Sequence, residues 1–213
     1  MNLSNLLEIE IMDLGVKSYE DVWKYQKEMQ QKRINNQIED ILILVEHPPV
    51  YTLGKNADQN HLLQNRSKSV EVFNVERGGD ITFHGPGQLV CYPIIDLNNY
   101  KKSISWYMRI LEQIIIDSLK TFDVVGQRIE GLTGVWVDEK KIAAQGVKIS
   151  RWVTMHGFSL NVNPDLSFYD GIIPCGIFHY GVTSIEKLLG EKQNMGRVKE
   201  IVINSFNSHF QIN

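Results

Sequence analysis

Apolar and polar side chains alternate in several stretches of the chain, and this pattern predicts strands. Residues 7–14 and 70–75 alternate in the way that is typical of a strand with one buried face. Residues 41–45 are apolar throughout, which predicts an inner strand that is covered on both faces. Residues 88–97 form a further long strand pattern. Pro93 lies within it and has no N–H for the ladder, so we expect an edge position or a bulge there.

Three other stretches have the period of amphipathic helices. Ser18 is a candidate N-cap for a helix that runs to about residue 35. Ser103 is a candidate N-cap for the longest helix, and a last helix spans about residues 195–210. In the longest helix, apolar side chains at helical spacing form one stripe, which assigns them to the core. The stripe consists of Ile104, Tyr107, Met108, Leu111, Ile114, Ile115, Leu119 and Phe122.

The middle of the chain is predicted as strands and turns. Residues 135–149 form a hairpin pattern with its turn at 138–140, and residues 154–162 form the next strand. Pro48 and Pro49 end the strand that precedes them, and we expect an extended loop at that point.

Strands therefore dominate the middle and helices flank them, without a regular strand–helix repeat. This order predicts an α+β fold, a mixed or antiparallel central sheet with flanking helices, and we expect the helices on one side of the sheet. At 213 residues the chain is expected to form a single domain over residues 1–213.

Composition narrows the function classes. The chain is 43% hydrophobic and 22% charged, as is typical of a globular protein, and its net charge of -3 argues against a general nucleic-acid binder. Two cysteines allow at most one disulfide and suit a reducing compartment. The first residues lack the pattern of a signal peptide, and no apolar run approaches the ~20 residues of a membrane span. We therefore expect a cytoplasmic protein that does not interact with membranes.

Cys175 lies between Pro174 and Gly176, a setting that presents a side chain at a turn. In isolation, a buried structural cysteine is the more common interpretation. A catalytic thiol would need a neighbouring cation or base that lowers its pKa from about 8.5. Lys141, which follows the predicted hairpin turn, is one candidate for that role, although a solvated turn lysine fits as well. Histidines within two residues of a glycine or proline are the other candidates: His47, His84, His156 and His179.

Two glycine-punctuated blocks, residues 77–88 and 141–157, precede Cys175 in the chain. The first block matches neither the P-loop pattern nor the dinucleotide fingerprint, so we expect its glycines to allow close backbone approach to a ligand. Gly146 and Gly157 would leave room in two strands, which suits a long, thin acyl chain. A zinc site is not expected, because the chain has no C-x-x-C or H-x-x-x-H spacing.

Five blocks taken together resemble the octanoyl-[acyl-carrier-protein]–protein N-octanoyltransferases of the biotin/lipoate ligase superfamily. They are residues 46–54, 77–88, 141–146, 156–158 and 174–177, and the resemblance extends over about residues 5–210. It implies a biotin/lipoate protein ligase-like catalytic domain. It also implies transfer of an octanoyl group from octanoyl-acyl-carrier protein to a lysine, as the first step of lipoate synthesis. The acceptors would be lipoyl domains of 2-oxoacid dehydrogenase E2 subunits and the glycine-cleavage H protein.

By the same resemblance, Cys175 would form a thioester acyl-enzyme and Lys141 would lower the pKa of its thiol. No metal or nucleotide cofactor is implied. The acyl-binding residues would be Arg77, Gly78, Gly79, Asp80, Ile81, Thr82, Phe83, His84, Ala144, Gln145, Gly146, Gly157, Phe158 and Ser159.

Two alternatives stay open at this stage. An ATP-dependent lipoate or biotin ligase shares the superfamily and needs no cysteine nucleophile. A non-catalytic acyl-binding protein would hold octanoyl without a covalent adduct. ATP dependence and the behaviour of a Cys175→Ser variant separate these classes from a transferase.

Overall fold

The computed structural model of the protein describes residues 9–173 and 181–210. The strands of this part are β1 Glu10–Val16, β2 Ile41–Glu46, β3 Val50–Leu53, β4 Glu71–Asn74, β5 Ile81–His84, β6 Gln88–Ile94, β7 Val135–Val137, β8 Lys140–Ser150, β9 Val153–Asn161 and β10 Gly181–Val182. The helices of this part are α1 Tyr19–Ile34, α2 Ile104–Lys120, α3 Ile185–Leu189 and α4 Met195–Phe210. None of these described helices is long and apolar enough to cross a membrane.

The described strands form two sheets. The larger sheet has the order β1-β2-β6-β9-β8-β10, with β7 also paired to β8. Its β1–β2 and β8–β10 pairs are parallel, and its other pairs are antiparallel. The smaller sheet has the order β4-β3-β5. The predicted mixed sheet with flanking helices is therefore confirmed.

Helices cover both faces of the larger sheet, so the expectation of helices on one side was wrong. In β2, Leu42 and Leu44 join the core formed with α2 and α4, whereas Ile41 and Ile43 pack in the core on the α1 side. The reason is already present in the apolar run of β2. Because successive side chains of a strand point to opposite faces of the sheet, a continuous apolar run needs other elements packed on both faces.

The predicted N-caps form as expected. The Ser18 hydroxyl oxygen accepts a hydrogen bond from the Asp21 N–H at 3.2 Å, and the Ser103 hydroxyl oxygen accepts one from Trp106 at 3.3 Å. Most of the predicted stripe of α2 is buried, but Ile104 is 54% exposed. Its assignment to the core was wrong, because it is the first helical residue and the fully buried positions of α2 begin at Tyr107.

Pro93 lies in an interior strand, so an edge position was wrong. On one side it pairs with Leu42 of β2, while pairing of β6 with β9 stops at Cys91. Continuing the β6–β9 register sets Pro93 opposite His156. There the His156 N–H donates to the Gln26 side-chain oxygen at 3.0 Å instead of joining the ladder, and His156 has φ +60°. The sheet thus tolerates an interior proline by a local interruption of one ladder.

The smaller sheet contains strands that the sequence pattern did not predict. Pro48 and Pro49 end β2 as expected, but the chain continues directly into β3 instead of an extended loop. β5 lies inside the first glycine-punctuated block and pairs antiparallel with β3. Both strands have four residues, too few for a clear period of two.

Candidate active site

A cavity of about 580 Å³ takes its wall from both sheets, from Tyr19 at the start of α1 and from the first turns of α2. This volume lies within the range of small-molecule sites in proteins. The wall includes residues 77–82, His84, Lys141, and residues 144–146 and 157–159. The two glycine-punctuated blocks, which are distant in the chain, therefore line one space.

Among Cys175, Lys141 and the predicted acyl-binding residues, Phe83 and Cys175 are not part of the described wall. Phe83 packs behind it in the core of the smaller sheet, where its ring stacks on Phe168 with 4.8 Å between centroids. Cys175 lies outside the described residues, as does His179.

Lys141 is buried at the cavity wall, with 7% of its surface exposed. The β7–β8 turn places it opposite Trp136, and its ammonium nitrogen lies 4.7 Å from the centroid of the Trp136 ring. This is a cation–π contact. On its other side Lys141 pairs with Val182 of β10, the strand that begins directly after residues 174–180.

Arg77 joins the smaller sheet to the edge of the larger one. Its guanidinium donates to the Thr52 carbonyl at 2.6 Å and to the Thr52 hydroxyl at 2.9 Å. The next residue, Gly78, donates its N–H to the Val147 carbonyl of β8 at 3.0 Å. The arginine–glycine loop therefore closes the cavity between the two sheets.

Gly146 and Gly157 make room for protein atoms, contrary to the expectation that they make room for a ligand. A Cβ on Gly146 would lie 2.6 Å from the Gly78 carbonyl oxygen, and one on Gly157 would lie 2.2 Å from the Cys91 carbonyl oxygen. Cβ atoms do not approach oxygen so closely. Both glycines line the cavity, but they are required by the backbone packed against them.

Gln145 is held by Glu112, a residue that sequence reasoning missed. The Gln145 amide nitrogen donates to one Glu112 carboxylate oxygen at 2.9 Å. Arg109 and Arg128 donate to the other oxygen at 2.7 and 2.8 Å. Glu112 is 2% exposed. Its position four residues after Met108 and three before Ile115, on the apolar side of α2, was the signal that could have identified it.

Three histidines, His47, His84 and His156, pack with Tyr19 and Tyr92 in a group that we call the histidine cluster. All of its members except His47 line the cavity. The Tyr19 and His84 rings are stacked, with 6.0 Å between centroids, and His47 packs edge-on against Tyr19 at 5.2 Å. Tyr92 lies between His47 and His156, at 5.9 and 6.3 Å. Strand pairing brings together residues that no spacing along the chain connects.

Hydrogen bonds fix the proton positions on two of these histidines. His47 Nδ1 lies 2.9 Å from the Lys17 carbonyl, which can only accept, so Nδ1 carries the proton and Nε2 accepts from the Tyr92 hydroxyl at 3.0 Å. His84 Nδ1 donates to the Gln88 side-chain oxygen at 2.7 Å, because the Gln88 amide nitrogen donates elsewhere. The His84 Nε2 atom of the neutral ring is therefore an acceptor.

His156 differs from the other two, because neither of its ring nitrogens has a hydrogen-bond partner in the described structure. Its Nε2 atom lies 3.9 Å from a Glu76 carboxylate oxygen. Burial lowers the pKa of His47 to about 4 and that of His84 to about 3. Burial, with a smaller contribution from the charge of Arg77, lowers the pKa of His156 to about 3. All three rings are neutral at pH 7.

Further parts of the cavity wall also escaped the sequence analysis. They include Tyr92, Ile104, Met108, Leu132 and Asn161. Ile104 and Met108 belong to the helix stripe that was assigned wholly to the core. In the described part of the chain, no group of three histidine, cysteine, aspartate or glutamate side chains could hold a metal ion.

Comparison with known proteins assigns the family. Residues 18–207 match the model of the lipoyl protein ligase A/B catalytic domain. An octanoyltransferase of Gloeobacter violaceus is 50% identical over 168 residues, which cover 78% of this chain and 75% of the relative. One from Christiangramia forsetii is 44% identical, with 96% of each chain covered.

The fold agrees with this assignment. The crystal structure of a lipoate-protein ligase A bound with ATP matches with a TM-score of 0.74 at 14% identity, over 95% of this chain and 85% of the other. At that identity the likeness shows the fold alone, the biotin/lipoate ligase catalytic fold. The identities above show more: the chain belongs to the octanoyltransferases, acyltransferases built on the lipoyl protein ligase A/B catalytic domain.

Proposed function

We propose that the chain transfers an octanoyl group from octanoyl-acyl-carrier protein to a lysine through a thioester on Cys175. The Cys175 thiolate attacks the carbonyl carbon of the donor thioester, and the bond to the carrier sulfur breaks. The carrier leaves as a thiol after it takes a proton from the Lys141 ammonium.

The neutral amine of the acceptor lysine then attacks the acyl-enzyme, and an amide forms as the Cys175 thiolate leaves. The proton released by the amine returns to Lys141. Covalent catalysis of this kind divides one difficult transfer into two easier steps.

The observation that carries this proposal is the buried Lys141 at the wall of the cavity. An ammonium near a thiol favours the thiolate, and burial strengthens that effect because water screens the charges less. The strand that follows residues 174–180 pairs with the strand of Lys141. Residues 77–84, 144–146 and 157–159 are the proposed acyl-binding residues.

Lipoyl domains and the glycine-cleavage H protein are the proposed acceptors, and the reaction is proposed to take place in the cytoplasm. The names of the relatives support octanoyl transfer. The free, buried Cys91 fits a reducing compartment.

An ATP-dependent ligase is the second candidate, because the lipoate-protein ligase that shares this fold was crystallised with ATP. The identities of 44–50% to octanoyltransferases favour transfer without ATP. A non-catalytic acyl-binding protein is the third candidate.

The covalent step is tested by incubating the full chain with octanoyl-acyl-carrier protein in the absence of ATP and measuring its intact mass. We expect one octanoyl group on the protein, located on Cys175 by peptide mapping. Lys141→Ala should slow its formation roughly 100-fold, since positioned acid–base groups contribute that order of rate. Lys140→Ala is the matched control, because Lys140 is the exposed neighbour on the same strand.

A wild-type mass that stays unchanged without ATP would rule out the thioester step. Product formation that requires ATP and survives in Cys175→Ser would identify the ligase. Octanoyl binding with no covalent adduct in either condition would identify the non-catalytic protein.

A further inference from the structure

Glu112 is a buried carboxylate that joins α2 to two other parts of the chain. It is 2% exposed. One carboxylate oxygen accepts from the Gln145 side chain at 2.9 Å and from the Gly134 N–H at 3.3 Å. The other oxygen accepts from Arg109 at 2.7 Å and from Arg128 at 2.8 Å. A carboxylate that is removed from water needs such donors, so it fixes the groups that donate to it.

Two of these donors lead to the surroundings of Lys141. Gly134 packs beside its side chain, since a Cβ on Gly134 would lie 3.5 Å from the Lys141 Cε atom. Arg128 follows Gln127, whose backbone exchanges two hydrogen bonds with Trp136, at 2.8 and 2.9 Å. The Lys141 ammonium lies over the Trp136 ring. The glycine beside the lysine stem and the ring below its ammonium are therefore both tied to the same carboxylate.

The third donor ties that carboxylate to the strand of Lys141 itself. Gln145 lies four residues after Lys141 on β8 and lines the cavity, as do residues 131–133. Loss of the carboxylate removes one acceptor from Gln145 and one from Gly134. Residues 127–134 would then lose the anchor that holds them against β8, and the wall beside Lys141 would shift.

We propose that Glu112 is a positioning residue for octanoyl transfer and that it acts through Lys141. It holds Gly134 and Trp136 where they direct the Lys141 ammonium. Glu112 is buried and is not part of the described cavity wall, so it does not touch the reacting groups. This inference rests on the proposed role of Lys141 and adds the group that positions it.

The test is steady-state octanoyl transfer from octanoyl-acyl-carrier protein to a lipoyl domain, measured with the full chain. Glu112→Gln keeps the size of the side chain but replaces one accepting oxygen with an amide that donates. We expect kcat to fall roughly ten-fold, because a misplacement of about 1 Å costs up to about 100-fold. The KM for the carrier should stay within about two-fold of wild type, because a buried residue does not contact a docked protein.

A double-mutant cycle with Lys141→Ala separates positioning from a general loss of structure. Lys141→Ala removes the group that Glu112 positions. In that background Glu112→Gln should therefore lower kcat by less than about two-fold. Arg128→Gln weakens the same anchor from the loop and keeps the test decisive if Glu112→Gln does not fold. It should lower kcat several-fold in the wild-type background and by less than about two-fold beside Lys141→Ala.

The matched control is Arg109→Gln. Arg109 donates to the same carboxylate, but its side chain is 58% exposed and is not part of the described cavity wall. This variant should retain the wild-type kcat.

A wild-type kcat in Glu112→Gln would overturn the positioning role. The same fold loss with and without Lys141, or an equal loss in Arg109→Gln, would overturn it too. A Lys141→Ala variant that transfers octanoyl at the wild-type rate would overturn the proposed role of Lys141, and this inference with it. The thioester on Cys175 is decided separately by intact mass, because these rates do not depend on which atom carries the octanoyl group.

Discussion

His156 combines features that are costly for a single residue. It is buried, its ring nitrogens lack partners within the described structure, and its φ of +60° lies in the left-handed region. Such conformations persist only where the surrounding structure imposes them. Here Pro93 imposes the conformation of His156. Pro93 leaves its β9 neighbour His156 without a ladder partner, and the His156 N–H turns toward Gln26.

The neutral histidine cluster makes stability depend on pH. A histidine whose pKa is about 6.5 unfolded and about 3 to 4 folded binds more protons in the unfolded state between these values. The part of the unfolding free energy that depends on the neutral histidines is therefore fully present above pH 6.5, and it decreases as the pH falls toward 4. Each such histidine contributes a slope of up to ~1.4 kcal/mol per pH unit in that window.

We expect His156→Asn to reduce the loss of unfolding free energy between pH 6.5 and pH 5 by about 2 kcal/mol. Asparagine tolerates the left-handed backbone, and it does not titrate. Urea unfolding at several pH values measures the slope. His209→Asn is the control for the same substitution outside the histidine cluster, since His209 is partly exposed beside Asp117. A slope that is the same in His156→Asn and wild type would contradict a low folded pKa for His156.

At the scale of elements, the periods of apolar residues predicted the long elements and missed the short ones. The α2 pattern and its Ser103 cap are local properties, so the sequence alone located that helix. β3 and β5 have four residues each, and pairing with each other stabilises them more than any local preference. Pro93 could not be placed, because a proline shows that a ladder is interrupted but not which neighbour lacks the bond.

Close approach between β9 and β6 gives a test at this scale. Gly157→Ala places a Cβ 2.2 Å from the Cys91 carbonyl oxygen and 2.7 Å from the Pro93 ring, so the strands must separate. We expect the free energy of unfolding to fall by about 1–3 kcal/mol, as in other overpacked interiors. Chemical denaturation measures it.

Gly181→Ala is the matched control for this strand contact. Among the described residues, its Cβ would meet only the flexible Lys140 side chain, at 3.4 Å. It should change stability by less than about 0.5 kcal/mol. A similar loss in both variants, or no loss in Gly157→Ala, would show that the β6–β9 contact can relax.

At the scale of the molecule, the sequence predicted which glycine-punctuated blocks line the cavity but not the other residues that surround it. The glycine-punctuated blocks carry local signals, and they do meet at one wall. The histidine cluster joins residues near positions 19, 47, 84, 92 and 156, and only the pairing order of the sheets brings them together. Glu112 likewise acts on Gln145 across a helix–strand contact. Such contacts depend on topology, which apolar periodicity does not encode.

Arg77 holds the loop that links the two sheets, and a lysine in its place tests that role. Lysine retains the charge, but its single nitrogen cannot replace both Nη2, which donates to the Thr52 carbonyl and hydroxyl, and Nη1, which donates to the Gly78 carbonyl. We expect Arg77→Lys to lose about 1–3 kcal/mol of unfolding free energy, because buried acceptors lose their donor. Amide hydrogen exchange should accelerate more in β3 and β5 than in β2 and β6, since the smaller sheet is held to β8 through this loop. Arg66→Lys is the control, because within residues 9–173 and 181–210 the Arg66 guanidinium makes one long bond, 3.4 Å, to the Leu63 carbonyl. Equal acceleration in both sheets would mean that they unfold as one unit, whether or not the Arg77 side-chain bonds are present.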